Sequence, residues 1–453
     1  MSKLYFETAL LPDGWANAVT LDIDADGRIL SVASETTAEP GVARAAIGVP
    51  GMSNLHSHAF QRGMAGLAEV AGTTPDSFWT WRQVMYRFLG KLTPDDVDVI
   101  AAQLYVEMLE AGFTSVGEFH YLHNAPDGSA YADPAEMAIS IVSAAWETGI
   151  GLTLLPVFYA QGGFGGQPMQ DQQRRFACKN VDEFAKLVDG ARRHVLRLAN
   201  AVVGIAPHSL RAITPESLQA VLQLAPYGPV HMHVAEQTKE VDDCLAWSGK
   251  RPVAWLLDNA PVDERWCLIH ATHMALEETT AVARCGVVAG LCPQTEANLG
   301  DGIFDAVPYL AAGGRFGIGT DSHIRVDVAE ELRMLEYSQR LRDRHRNVLG
   351  EPGKSTGRRL FDGAVRGGAQ ALARPGKGLA AGQLADILAL APHHPALTAR
   401  TGDQLLDCWL FAGDGRCVQS VWVAGRQVVA DGRHIHRDNV AMRFAKTMVR
   451  LTG

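Results

Sequence analysis

From residue 49 to residue 376 the chain repeats one pattern, a short apolar run followed by a segment with helical spacing. The runs include Leu152–Val157, Ala201–Ile205, Val230–Val234, Cys267–Ile269, Val287–Leu291 and Arg315–Ile318. Each is too short for a stable helix and reads as a buried strand. Between the runs, segments such as Asp95–Ala111 and Pro215–Leu224 carry helical spacing behind the N-cap residues Thr93 and Thr214. Alternation kept up over about 320 residues builds a parallel sheet, and this many units suit a closed (β/α)8 barrel of the TIM type. An open doubly wound sheet has the same periodicity, so the choice between them falls to the motifs.

The two ends read differently. Residues 4–33 hold β-rich runs, among them Ala18–Ile23 and Ile29–Val32 joined by an Asp/Gly turn at Asp24–Gly27. Near the other end, Ala385–Leu390 is a short apolar run, and Ser420–Val423 and Gln427–Val429 flank Ala424-Gly425-Arg426, a hairpin signal. Isolated hairpins are marginal in water, so each end is expected to supply partners for the other. The expected organisation is a small β-sandwich from residues 1–48 and 377–453, with the barrel from 49 to 376.

Composition narrows the function. With 47% hydrophobic and 20% charged residues the chain supplies a large core, and its net charge is −9 without a basic run, which excludes a nucleic-acid partner. No apolar run of about 18 residues is present, so no membrane partner is expected. Glu7 interrupts what would be a signal h-region. The seven cysteines (Cys178, Cys244, Cys267, Cys285, Cys292, Cys408, Cys417) are scattered and form no CxxC pair, which argues against a disulfide framework or a thiolate zinc site and for a reducing cytoplasm.

The sharpest local signal is Asn54-Leu55-His56-Ser57-His58. Residues two apart on a strand face the same way, so both imidazoles enter one cavity, and imidazole suits zinc. Three further apolar runs end in metal-ligating or acid–base residues: His231-Met232-His233 with Glu236, Trp266 through His270, and Gly317 through Asp321. Barrel enzymes keep functional groups where strands end and loops begin, and all four features fall there.

This arrangement resembles the amidohydrolase superfamily along essentially the whole chain, including the terminal run Val423–Val429. The resemblance implies one zinc ion per chain held by His56, His58, His233 and Asp321, with His270 in a catalytic role. His231 competes with His233, which lies nearer the strand end and begins the His-x-x-Glu spacing, so His231 reads as a hydrogen-bonded core histidine. Two-metal members need a bridging ligand after strand four. Leu152–Phe158 is read as that strand, and no Lys or Glu occurs from Gly151 through Cys178, so a mononuclear site is expected.

The chemistry that follows is hydrolytic removal of nitrogen. Metal-bound water is a nucleophile near neutral pH, Asp321 accepts its proton, His270 polarises the attacking oxygen, and Glu236 carries a proton to the departing nitrogen. Glu236 as a helix cap is the competing reading. The runs Ser77-Phe-Trp-Thr-Trp-Arg82, Glu118-Phe-His-Tyr121, His208-Ser-Leu-Arg211 and Thr295 through Gly302 resemble the formimidoylglutamate deiminases. That resemblance implies conversion of N-formimidoyl-L-glutamate to N-formyl-L-glutamate and ammonia in histidine breakdown. It also implies a homodimer and a dicarboxylate bound by Gln61, Arg82, Tyr121, His208 and Arg211. Arginine's planar fork suits carboxylates, whereas Trp79 and Trp81 read as packing residues. The first rival is a heteroaromatic deaminase or chlorohydrolase, which needs an apolar pocket where the arginines stand. Cys292-Pro293-Gln294-Thr295 also lacks the Cys-Pro-x-Ser-Asn pattern of those relatives. The second is a non-catalytic assembly protein on the same barrel, which normally loses metal ligands.

Overall fold

The computed structural model describes residues 2–73, 76–376 and 378–453, which leaves Met1 and Lys377, two of the expected domain limits, outside the described residues. The chain begins with β1 (Ser2–Leu11), β2 (Gly14–Ile23), β3 (Ile29–Ala33) and β4 (Ala43–Pro50). It continues through β5 (Met52–Ser57), β6 (Phe113–His120), β7 (Gly151–Phe158), β8 (Val202–Val203) and β9 (Ala206–Pro207). After β10 (Val230–Val234), β11 (Trp266–His270), β12 (Val288–Leu291) and β13 (Arg315–Ile318), it ends with β14 (Ile387–Leu390), β15 (Val418–Val423), β16 (Arg426–Ala430) and β17 (Arg433–His434).

Strands β5 to β13 form the barrel, with β8 and β9 together as its fourth stave. Neighbouring staves are parallel, and β13 returns to β5 through the pair Ile318–Asn54. The seam between the fourth and fifth staves is held by the Ile205–Val230 bridge and by hydrogen bonds from His231 N to Ile205 O (3.1 Å) and His233 N to His208 O (3.0 Å). Staves β6 and β10 to β12 are buried on both faces, as staves of a helix-covered barrel are. The fold is the expected (β/α)8 barrel.

The strand count needs one correction. Leu152–Phe158 lies in the third stave, because only the helix Glu136–Thr148 separates β6 from β7. The fourth is Val202–Pro207, broken at Gly204 and followed by His208. Residues 201–215 also contain no Lys or Glu, so the argument for one metal survives on different residues.

The two ends of the chain meet in one sheet of order β17-β16-β15-β14-β4-β1-β2-β3. Its joint is the antiparallel pairing of β4 with β14, from Ile47–Leu390 to Pro50–Ile387. The sheet folds over a core of its own that includes Phe6, Val19, Leu21, Ile387 and Trp422, with the Phe6 and Trp422 rings edge to face at 6.2 Å. Gly48 sits under Phe6, where a Cβ would come within 2.7 Å of the ring, so this register tolerates no side chain there. β4 runs to Pro50, and the C-terminal segment adds the helices Gln404–Ala412 and Arg437–Thr452 to its strands. Two helices beside the barrel mouth matter below, α1 (Phe78–Leu89) and α2 (Pro94–Glu110), the latter capped by Thr93 with Asp96. Among the described residues, no helix is long and apolar enough to cross a membrane.

Candidate metal centre and active site

The ends of β5, β10 and β13 bring His56, His58, His233 and Asp321 together, with their ligand atoms within 4.8 Å of one another and all four side chains buried. Asp321 Oδ1 lies 3.4 Å from His56 Nε2 and 3.3 Å from His58 Nε2, and His56 Nε2 lies 3.1 Å from His233 Nε2. Burial holds all three imidazoles below their usual pKa, and His56 and His233 well below it. They are therefore neutral donors. His58 Nδ1 donates to Phe119 O at 3.0 Å and His233 Nδ1 to His208 O at 3.1 Å. A carbonyl only accepts, so the proton of each ring sits on Nδ1, and the Nε2 lone pair of His58 faces Asp321 while that of His233 faces His56 Nε2. Converging neutral imidazole lone pairs beside one carboxylate fit a divalent cation and suit no ordinary hydrogen-bond network. His231, one register step deeper, donates from Nε2 to Ala371 O (2.7 Å) and stays in the core.

The acid–base groups ring this cluster. His270 Nε2 lies 3.7 Å from Glu236 Oε1 and 3.8 Å from Asp321 Oδ2, while its Nδ1 meets Glu296 Oε1 at 3.2 Å. Burial lowers the His270 pKa, but the carboxylates of Glu236, Glu296 and Asp321 outweigh it and push the value up to about 10. Glu236 is shifted upward, chiefly by burial, toward holding a proton. The following helix, Thr238–Ser248, has Gln237 at its N-cap and no side-chain cap, so Glu236 does not cap it. The two oxygens of Asp321 thus face different neighbours, Oδ1 the histidines and Oδ2 His270. Ala235, His270 and Asp321 all adopt left-handed backbone at the stave ends (φ 51°, 65° and 43°), a strain that non-glycine residues keep where side chains must be re-aimed.

One cavity opens over this floor, and Gln61, Arg82, Tyr121, His208 and Arg211 all line it with His58, His233, Glu236, His270 and Asp321. Gln61 Nε2 donates to the Tyr121 hydroxyl at 2.8 Å, leaving Gln61 Oε1 without a protein partner. His208 accepts or donates through Nδ1 to Ser209 Oγ at 2.9 Å, and burial, with Arg211 and Arg82 nearby, keeps it neutral. Among the described residues Glu240 is the one carboxylate within 4.0 Å of Arg211, Glu236 further off also favours its charged form, and the Arg211 Nε has no acceptor. Two guanidiniums facing one cavity with so little counter-charge make a site for anions.

The comparisons with known proteins agree with this geometry. The "Amidohydrolase family" profile matches residues 47–428, and that of the "Formimidoylglutamate deiminase HutF, N-terminal domain" matches residues 1–46. A formimidoylglutamate deiminase from Pseudomonas aeruginosa is 53% identical over 450 residues, covering 99% of each chain. The chain belongs to the formimidoylglutamate deiminase family of amidohydrolases. Among solved structures, an amidohydrolase from Brucella melitensis superposes with a TM-score of 0.97 at 53% identity over 100% of both chains. An adenosine deaminase from Xanthomonas campestris, solved with bound zinc, shares the fold at a TM-score of 0.80 and 20% identity, covering 99% of this chain and 98% of its own.

In this deiminase-family chain the structure also shows contacts that the sequence reading passed over. Trp79, read as packing, lies under both guanidiniums, 5.7 Å from Arg82 and 5.7 Å from Arg211. Glu296 holds His270 and also accepts from Cys292 N at 2.9 Å. Arg175, fully buried, donates to Asn124 O (3.0 Å), Leu92 O (2.9 Å) and Leu89 O, the last residue of α1. It thereby stitches the helix that carries Arg82 to the barrel. Arg175→Met removes three hydrogen bonds to backbone carbonyls, so it is expected to cost roughly 2–4 kcal/mol of stability, seen as a lower denaturant midpoint. An unchanged midpoint contradicts the anchoring role.

Proposed function

We propose that this protein hydrolyses N-formimidoyl-L-glutamate to N-formyl-L-glutamate and ammonia, a step of histidine breakdown. The observation that carries the reading is the pair Arg82 and Arg211, facing the cavity whose floor is the His/His/His/Asp group. A neutral heterocycle has no use for two guanidiniums, and an assembly protein has none for an intact ligand set. The name of the Pseudomonas aeruginosa relative supplies the same substrate.

The metal is proposed to be a single zinc ion held by His56, His58, His233 and Asp321. When bound, it supplies Lewis acidity that makes a water molecule nucleophilic near neutral pH. Gln61, Arg82, Tyr121, His208 and Arg211 bind the glutamate moiety, with the two arginines as clamps for its carboxylates. Asp321 Oδ2 takes a proton from water, and His270 steadies the oxygen as it bonds to the amidine carbon. Glu236, whose pKa burial raises, gives a proton to the imino nitrogen. Glu236 then takes the proton of the new hydroxyl and Asp321 returns its proton to the amine, so that the carbon–nitrogen bond breaks, ammonia leaves, the oxygen remains as the formyl carbonyl and both carboxyls regain their starting states. A cytoplasmic location and a homodimer complete the proposal; the free thiols of all seven cysteines accord with a reducing compartment.

Arg82→Met or Arg211→Met keeps bulk and removes a charge-assisted contact worth about 1.5–3 kcal/mol, so kcat/KM for the dicarboxylate is expected to fall about 10- to 150-fold. Metal content is expected to stay constant. N-Formimidoyl-L-glutamine, with one carboxylate fewer, is expected to be a poor substrate and insensitive to whichever arginine held the missing group. Unchanged kcat/KM in both variants removes the carboxylate assignment.

A further inference from the structure

Tyr159 follows the third stave, is 5% exposed, and lines the cavity with its ring edge to face on His208 at 4.7 Å. Its hydroxyl is met by two groups that only donate. Arg82 Nη2 lies at 3.2 Å and Gln173 Nε2 at 2.7 Å. The orientation of the Gln173 amide is fixed, because its Oε1 accepts from Gln170 N at 2.8 Å. A phenol oxygen has two acceptor positions and one proton. Both acceptor positions are filled, and among the described residues no acceptor stands opposite the proton, which leaves it for the cavity.

We infer that Tyr159 is a substrate-binding residue, donating its phenolic proton to the substrate carboxylate held by Arg82. The inference rests on the dicarboxylate reading above. Its chemical logic is that Arg82 and Arg211 already crowd positive charge around one cavity. A neutral donor adds a charge-assisted bond to a carboxylate without adding repulsion. Arg82 and Gln173, by donating to the same oxygen, leave its proton for the substrate and add a modest polarisation of the O–H.

The test is calorimetric titration of zinc-loaded protein with N-formyl-L-glutamate, the unreactive product, in the unmodified chain, Tyr159→Phe, Arg82→Met and the double variant. Tyr159→Phe is expected to weaken binding about 10-fold or more, to raise KM for the substrate more than it lowers kcat, and to keep the metal content. The weakening is expected to persist, at about fivefold or more, in the Arg82→Met background. Gln173→Leu, which removes an accepted bond and leaves the donor, is expected to stay within about threefold of the unmodified chain. If the Tyr159→Phe effect vanishes beside Arg82→Met, or if Gln173→Leu weakens binding equally, Tyr159 only positions Arg82 and the inference fails. If the unmodified chain binds N-formyl-L-glutamate no better than N-formyl-L-glutamine, the dicarboxylate reading itself fails and takes the inference with it.

Discussion

Replacing Glu236 by Gln leaves the metal in place and lowers kcat by about 10²–10⁴-fold, the usual worth of a positioned acid–base group. The two halves of that result have separate causes. Glu236 is outside the four-residue ligand group, so metal analysis is expected to return the unmodified stoichiometry. Its carboxyl is buried and 3.7 Å from His270 Nε2, at the edge of the cavity where the departing nitrogen must be protonated. Gln has nearly the same shape and holds hydrogen bonds, but it has no proton to transfer. A kcat within tenfold of the unmodified protein means that another group moves the proton.

His56→Ala is expected to abolish activity through loss of the ion. His56 is fully buried, its Nε2 contacts both Asp321 and His233, and Ala offers neither a donor atom nor room for bulk solvent to replace one. Elemental analysis is expected to fall from about one divalent ion per chain to a small fraction of that. Retention of a full equivalent places the metal elsewhere, and two ions per unmodified chain overturn the mononuclear reading.

Much of this arrangement was legible in the sequence, for identifiable reasons. Staves such as Val288–Leu291 and Cys267–Ile269 are buried on both faces, so they appear as plain apolar runs. His56 and His58 declare themselves because a strand repeats every two residues, and Glu236 because it sits one short loop beyond His233. The fourth stave, two short ladders broken at Gly204, did show as the run Ala201–Ile205, but its place in the barrel was not legible and Leu152–Phe158 was counted in its stead. Arg82 and Arg211 were found through motifs, but the indole beneath them was read as packing because nothing local distinguishes Trp79 from a core residue. Tyr159 was missed outright. Its role comes from a hydrogen-bond count involving Arg82, 77 residues away, and Gln173, 14 residues away, which no local pattern encodes. Arg175 escaped for a similar reason, since its acceptors are backbone carbonyls, which every sequence supplies.

The central claim is that the cavity joins an amidine-hydrolysing metal site to a two-carboxylate clamp. The most direct measurement is product analysis of zinc-loaded protein given N-formimidoyl-L-glutamate alongside a panel of neutral heterocycles, adenosine and guanine-type bases among them. The account predicts equal amounts of ammonia and N-formyl-L-glutamate, at a kcat/KM above that for every heterocycle by at least about 10²-fold, as expected when a built-in polar clamp is left unpaired by the wrong substrate. Turnover of a neutral heterocycle at equal or higher kcat/KM, or no ammonia from the dicarboxylate, contradicts it.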